Sequence, residues 1–168
     1  VMNARHEPTL DGTTDVATQF PESRKTTRNV DGIATTAYFA SDFTLAEIKT
    51  LRAVQARANR DQSLNGLYSI PTLDEVIALA QAEGSKRGRA VGIYPEIKHS
   101  VFHATEAGFG ANVFEDKLLT TLHAAYGNTG SAPVFIQSFE VSNLQYLNTK
   151  TSIKLVQLID ADDVKDDG

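Results

Sequence analysis

Short apolar runs alternate along this chain with polar, turn-rich stretches, and the spacing inside each run predicts its element. Thr44-Leu-Ala-Glu47 and Thr72-Leu-Asp-Glu75 both fit the capping box, in which a Thr hydroxyl and a Glu carboxylate reciprocally satisfy free backbone N–H groups, so each opens a helix. The first continues through Ile48, Leu51 and Val54 at helical spacing; the second runs through Val76, Ile77 and Leu79 until Gly84. A third helix, Val113 to Tyr126, places Phe114, Leu118, Leu119, Leu122 and Ala125 on one face and stops at Gly127. Val141 to Leu147 reads as a short fourth. Between them lie apolar stretches of strand length: Ala90 to Ile97, Pro133 to Phe139, which reads as buried on both faces, and Ile153 to Ile159. Val1 to His6 suggests one more strand, followed by the turn-rich segment Glu7 to Asp15. Ala17 to Ser41, with Pro21, Gly32 and the cluster Arg24-Lys25-Thr26-Thr27-Arg28, reads as a long excursion with little regular structure, a solvated loop by its charge. Arg60 to Ile70 is a connection, and His99 to Gly110 a polar, Gly-rich linker. Strand and helix thus alternate as in a parallel sheet, either doubly wound or a barrel; with about four strands against the eight of a (β/α)8 barrel, a barrel would be half complete.

Composition narrows the classes. With 168 residues, 41% of them hydrophobic and 22% charged, the chain has the makings of one globular domain rather than a disordered segment. A net charge of −5 with scattered Lys and Arg gives no basic stripe for nucleic acid. No apolar run approaches the roughly 18 residues that a membrane span needs. The absence of cysteine excludes disulfides, zinc thiolates and thiol nucleophiles. A start at Val1, inside what reads as a strand, suggests processing or truncation.

Chemistry concentrates in Val91-Gly-Ile-Tyr-Pro-Glu-Ile-Lys98. Residues two apart on a strand share a face, so Glu96 and Lys98 project together, and at the carboxyl end of a parallel strand they suit a cation and an anionic substrate group. The plainer alternative is an exposed ion pair. His6, at the exit of the first strand, is placed to exchange a proton near neutral pH beside Glu96, or else is structural. His99 and His103, four apart and following Glu96, superficially suggest zinc, but they lie in a polar loop and lack the His-Glu-x-x-His order. His123 is expected on a helix surface. No nucleophile elbow and no phosphate loop is present. The acidic tail, Asp160, Asp162, Asp163, Asp166 and Asp167, carries charge for calcium but not the EF-hand spacing, and reads as a solvated terminus.

Six blocks occur in one order: His6-Glu-Pro-Thr-Leu-Asp-Gly-Thr-Thr-Asp-Val16, Asp42 to Leu51, Ile70-Pro-Thr-Leu-Asp-Glu75, Gly92-Ile-Tyr-Pro-Glu-Ile-Lys98, Ile136-Gln-Ser-Phe139 and Leu155-Val-Gln-Leu-Ile159. This ordered set resembles the glycerophosphodiester phosphodiesterase family, most closely its calcium-dependent, periplasmic or secreted branch, over almost the whole chain. The resemblance implies a TIM-barrel fold, with residues 1–168 an internal fragment of a single domain holding about strands three to six. It implies hydrolysis of glycerophosphodiesters to glycerol 3-phosphate and an alcohol. His6 is similar to the second of two catalytic histidines, Glu96 to a metal-binding carboxylate, Lys98 to a phosphate-contacting lysine and Phe139 to an aromatic residue of the substrate pocket. The sequence departs from the common pattern at Glu7, where Asp usually follows the histidine, and at Gly12, where Arg is frequent. The implied His-Arg-Gly and Glu-x-Asp elements are expected before Val1. The implied cofactor is Ca2+, with Mg2+ second, and the only implied partner is the small-molecule substrate.

Residue chemistry agrees with that expectation. Glu96 offers one hard oxygen ligand, Lys98 a point charge for phosphate, and His6 an acid or base. Calcium takes about 6–8 oxygens, so these residues alone are expected to bind it poorly and to turn over little. Two other readings stay open: a catalytically inactive barrel kept for ligand binding or structural interaction, and an unrelated doubly wound binding domain.

Overall fold

The computed structural model describes residues 1–159, and the acidic-tail calcium expectation therefore lies outside the described residues. The chain divides into two compact units, one formed by Asn3–Thr72 with Val1, the other by Leu73 onward with Met2.

In the first unit, Leu10, Val16, Tyr38, Phe43, Ile48, Leu51 and Ile70 form the core. Helix α1 (Val16–Gln19) leads to a 3-10 turn at Glu22–Arg24 and then to an antiparallel hairpin, β1 (Thr26–Val30) and β2 (Ile33–Ala37). This corrects the expected long excursion with little regular structure. Asp31 and Gly32 make the two-residue turn with φ of 50° and 85°, the conformation that favours Asp-Gly between paired strands. Most hairpin side chains are exposed, so no apolar alternation advertised the strands. Val1 to His6 is also not a strand: it makes one antiparallel bridge, Asn3 to Thr72. Beyond that point the Arg5 guanidinium binds the carbonyls of Glu7 and Thr9 and the Thr13 hydroxyl, which turns the chain away.

Helix α2 (Leu45–Thr50) opens with the expected capping box: Thr44 Oγ1 accepts from Glu47 N–H at 3.2 Å, and Glu47 Oε2 accepts from Thr44 N–H at 2.7 Å. It ends before Val54 because the backbone of Arg52 pairs with Asp15, that of Ala53 with Tyr68 and that of Val54 with Thr13.

The second unit holds helices α3 (Leu73–Arg87), α4 (Ser100–Ala104), α5 (Val113–Tyr126) and α6 (Val141–Asn148) and parallel strands β3 (Phe135–Ser138) and β4 (Lys154–Gln157). Gly84 does not stop α3. A Cβ there would lie 3.1 Å from the Arg89 carbonyl oxygen, so glycine admits the returning chain. The helix ends at Gly88, φ 62°, with Gly88 N–H donating to Ser85 and Arg89 N–H to Gly84, the paired bonds of a Schellman close. On α5 the expected face is the one buried: Leu118, Leu119 and Leu122 pack with Ile77, Ile97, Val134, Ile136 and Leu147, each such side chain contributing about 2 kcal/mol by burial.

Residues 91–97 run parallel to β3 but touch it as two bridges, Ile93 to Val134 and Glu96 to Gln137, rather than as a full ladder. Ile93 and Ile97 donate to Pro133 and Gln137, and Phe135 and Gln137 donate to Ile93 and Pro95. Pro95 has no N–H to supply the intervening rung. β3 alternates instead of burying both faces: Ile136 and Ser138 are fully buried, whereas Phe135 is exposed and packs edge-on against Tyr94 at 5.9 Å. The expected polar linker from His99 contains α4. The described fold is thus α/β with two small two-stranded sheets, one antiparallel and one parallel.

Candidate active site

Where residues 91–97 lie beside β3, period-two alternation sends Ile93 and Ile97 into the helical core and Glu96 and Lys98 to the other face. Lys98 Nζ lies 3.2 Å from Glu96 Oε1, and both side chains are about four-fifths buried, at 20% and 21% exposure. That burial sets the pair apart from an ordinary surface ion pair. Glu96 Oε1 is itself buried and accepts no properly aligned hydrogen bond. Lys98 Nζ also sits 5.4 Å from the centre of the Phe139 ring, within the range of a cation–π contact. The same three side chains border one small recess, together with His99, Ser138 and Glu140.

The structure therefore brings together Glu96, Lys98 and Phe139. His6 belongs to the first unit, where its ring is exposed and its Nδ1 lies 2.5 Å from Glu7 Oε1. Nδ1 of the ring is thereby engaged by a neighbouring carboxylate. Glu7, standing where Asp is commoner, thus contacts the histidine ring directly.

The histidines after the strand are not arranged as ligands. His99 adopts φ 54° at the start of α4, and His103 is caged by Phe109, stacked at 5.6 Å, and Phe114 at 4.2 Å. Burial, aided by the nearby His99, pushes the His103 imidazole down to about 4. Among the described residues no group of three or more His, Cys, Asp or Glu side chains is placed to hold a metal. Glu96, an under-coordinated hard oxygen in a recess, nonetheless fits a calcium or magnesium ion as one ligand of several. His123 is half-buried rather than a surface residue, its Nε2 2.9 Å from Thr151 Oγ1.

A buried polar cluster lies behind Lys98 and was missed in the sequence. Ser138, Glu140, Asn143 and Ser100 are all at most 4% exposed. The Ser138 hydroxyl donates to the Ile97 carbonyl at 3.0 Å, and Glu140 Oε1 and Oε2 accept from Ser100 and Val101 N–H at 2.7 and 3.2 Å. Asn143 Nδ2 donates to both serine hydroxyls. The available signal was the alternation Ser138-Phe139-Glu140, which puts two polar residues on the inward face at the end of an apolar strand.

A model of the glycerophosphoryl diester phosphodiesterase family matches residues 1–168. The chain belongs to that family. Among curated members, a glycerophosphodiester phosphodiesterase of Arabidopsis thaliana is 42% identical over 95% of this chain and 44% of its own length. A glycerophosphodiester phosphodiesterase of Haemophilus influenzae is 31% identical over 96% of this chain and 46% of its own. One from Treponema pallidum is 26% identical, over 89% of this chain and 44% of its own. The chain thus spans less than half the length of each of these phosphodiesterase relatives. No helix among the described residues is long and apolar enough to cross a membrane.

Proposed function

We propose that the whole protein is a metal-dependent phosphodiesterase that hydrolyses glycerophosphodiesters to glycerol 3-phosphate and an alcohol, and that it is of the calcium-dependent, periplasmic or secreted kind. In this reading residues 1–168 supply about strands three to six of one TIM-barrel domain. One observation carries the proposal: a largely buried carboxylate, with an oxygen that accepts no aligned hydrogen bond, stands 3.2 Å from an ammonium on one face of the extended segment 91–98 beside β3. Such a pair is costly to bury unless each charge has further work, here a cation for Glu96 and an anion for Lys98.

The substrate phosphodiester carries one negative charge, and Lys98 is the group that binds its oxygens as a point charge. Phe139 packs under the ammonium and limits its swing. Glu96 would hold the divalent ion, which when bound neutralises charge building on the phosphoryl oxygens. Hydrolysis adds water to phosphorus and breaks the bond to the alcohol oxygen. One proton must leave the water and one must reach the departing alcohol, and His6 is assigned to that transfer, a role worth about 10²–10⁴-fold in rate.

The test is release of choline from glycerophosphocholine by the whole protein. Activity should vanish on chelation and return with Ca2+, or less well with Mg2+. The 168-residue chain alone should turn over little or nothing, and robust metal-dependent hydrolysis by it would contradict the proposal that further ligands are required. Substrate binding by the whole protein without turnover would instead favour an inactive, ligand-binding barrel.

A further inference from the structure

Lys98 lies just past the bridged segment 91–97, where backbone ordinarily frays, yet the chain is pinned on both sides of it. Before it, the Ile97 carbonyl accepts from the Ser138 hydroxyl. After it, Ser100 and Val101 N–H donate to the two oxygens of Glu140, and Asn143 ties the hydroxyls of Ser100 and Ser138 together. Between these anchors His99 is held in the left-handed region, a conformation uncommon for a residue with a side chain.

Glu140 is 4% exposed, and burying a carboxylate is expensive unless donors compensate it. Capping a five-residue helix does not require that expense, since a local Ser, Thr, Asn or Asp would do. What the arrangement adds is position. Ser138 and Glu140 grip the backbone behind Lys98 while Phe139, between them in the chain, meets its ammonium. One tripeptide thus holds the lysine from both sides.

We infer that Glu140 is a positioning residue for Lys98: its carboxylate fixes the turn at 99–101 and so sets where the ammonium meets the substrate phosphate. The inference rests on Lys98 being the phosphate-binding group. The test is a double-mutant cycle in the whole protein, with KM and kcat for glycerophosphocholine and the melting temperature measured for Lys98→Met, Glu140→Gln and the double variant. Lys98→Met should raise KM at least about tenfold, as expected for loss of a charged hydrogen bond. Glu140→Gln presents an NH2 group to one of two backbone donors; it should raise KM about tenfold and add little in the Lys98→Met background. Glu140→Asp, which keeps the charge on a shorter stem, should recover most of the loss.

Multiplicative effects in the double variant, or an unchanged KM with only a lower melting temperature, would show a purely structural cap and overturn the inference. If Lys98→Met keeps a normal KM, the assignment of Lys98 itself fails and this inference with it. If Lys98→Met raises KM and Glu140→Gln does not, only the inference fails. Should Glu140→Gln not fold, the cycle runs with Glu140→Asp, whose smaller rise of about threefold must likewise disappear without Lys98.

Discussion

Glu47 in the first unit and Glu96 in the second each stand beside a cation, Arg24 at 2.9 Å and Lys98 at 3.2 Å. Glu47 is saturated. Arg24 donates to one oxygen, and the Thr44 N–H and hydroxyl donate to the other, which together hold its carboxyl down to about 2. Glu96 is more deeply buried, has the ammonium alone at its Oε1, and lacks an aligned hydrogen bond there. A carboxylate that has all its donors organises the chain around it and has no capacity left for a ligand. One left short of donors depends on its single ion-pair partner, and a bound cation would supply what it lacks.

The largest effect that would sharpen this contrast is catalytic. Glu96→Gln in the whole protein should cut turnover of glycerophosphocholine about 1,000-fold, the scale of lost metal-assisted charge stabilisation. That loss persists at temperatures where the variant is fully folded, even though the Lys98 ammonium loses its counter-charge. Glu47→Gln should lower the melting temperature and spare turnover by the folded protein; loss of activity there with retained folding would break the contrast.

The next effect concerns His103, another polar group short of partners, whose Nδ1 is buried without a hydrogen bond. Its folded pKa of about 4 lies below the ordinary 6.5, so the unfolded chain binds a proton first as pH falls. Stability from its neutral form is fully present above pH 6.5 and is lost as pH falls through about 4, by about 3 kcal/mol in all. His103→Leu should therefore flatten denaturant-measured stability across that window, and an unchanged slope would exclude His103 as its source. For Glu47 the window lies lower: its contribution is complete above pH 4.5 and disappears as pH falls through about 2.

The smallest effect is Thr44→Ala. It removes the side-chain acceptor of the capping box and should cost about 1 kcal/mol in urea unfolding, with no change in KM.

Some of this contrast could be read directly along the chain. The capping box at Thr44 and Glu47 is local chemistry with a fixed spacing, and the shared face of Glu96 and Lys98 follows from the two-residue strand period. Both survived because neighbours in sequence suffice to make them. The hairpin at Thr26–Ala37 was obscured because its strands are mostly solvated and Thr-rich, although Asp31-Gly32 was a usable turn signal. Helix α4 was hidden for a different reason: its first N–H groups are satisfied from Glu140, forty residues away, and no local pattern reports such a partner. The alternation of β3 was misjudged because Phe135 is apolar yet faces outward against Tyr94 and the Lys154 ammonium.

Helix α4 has a consequence for local dynamics. Five residues make too few internal turns to persist in water by themselves, so its order is inherited from the strand end that Glu140 extends. In hydrogen–deuterium exchange, the Ser100 and Val101 amides should exchange as slowly as the core of β3 and open together with it. The loop that follows Lys98 is then an outlying part of the sheet's own cooperative unit.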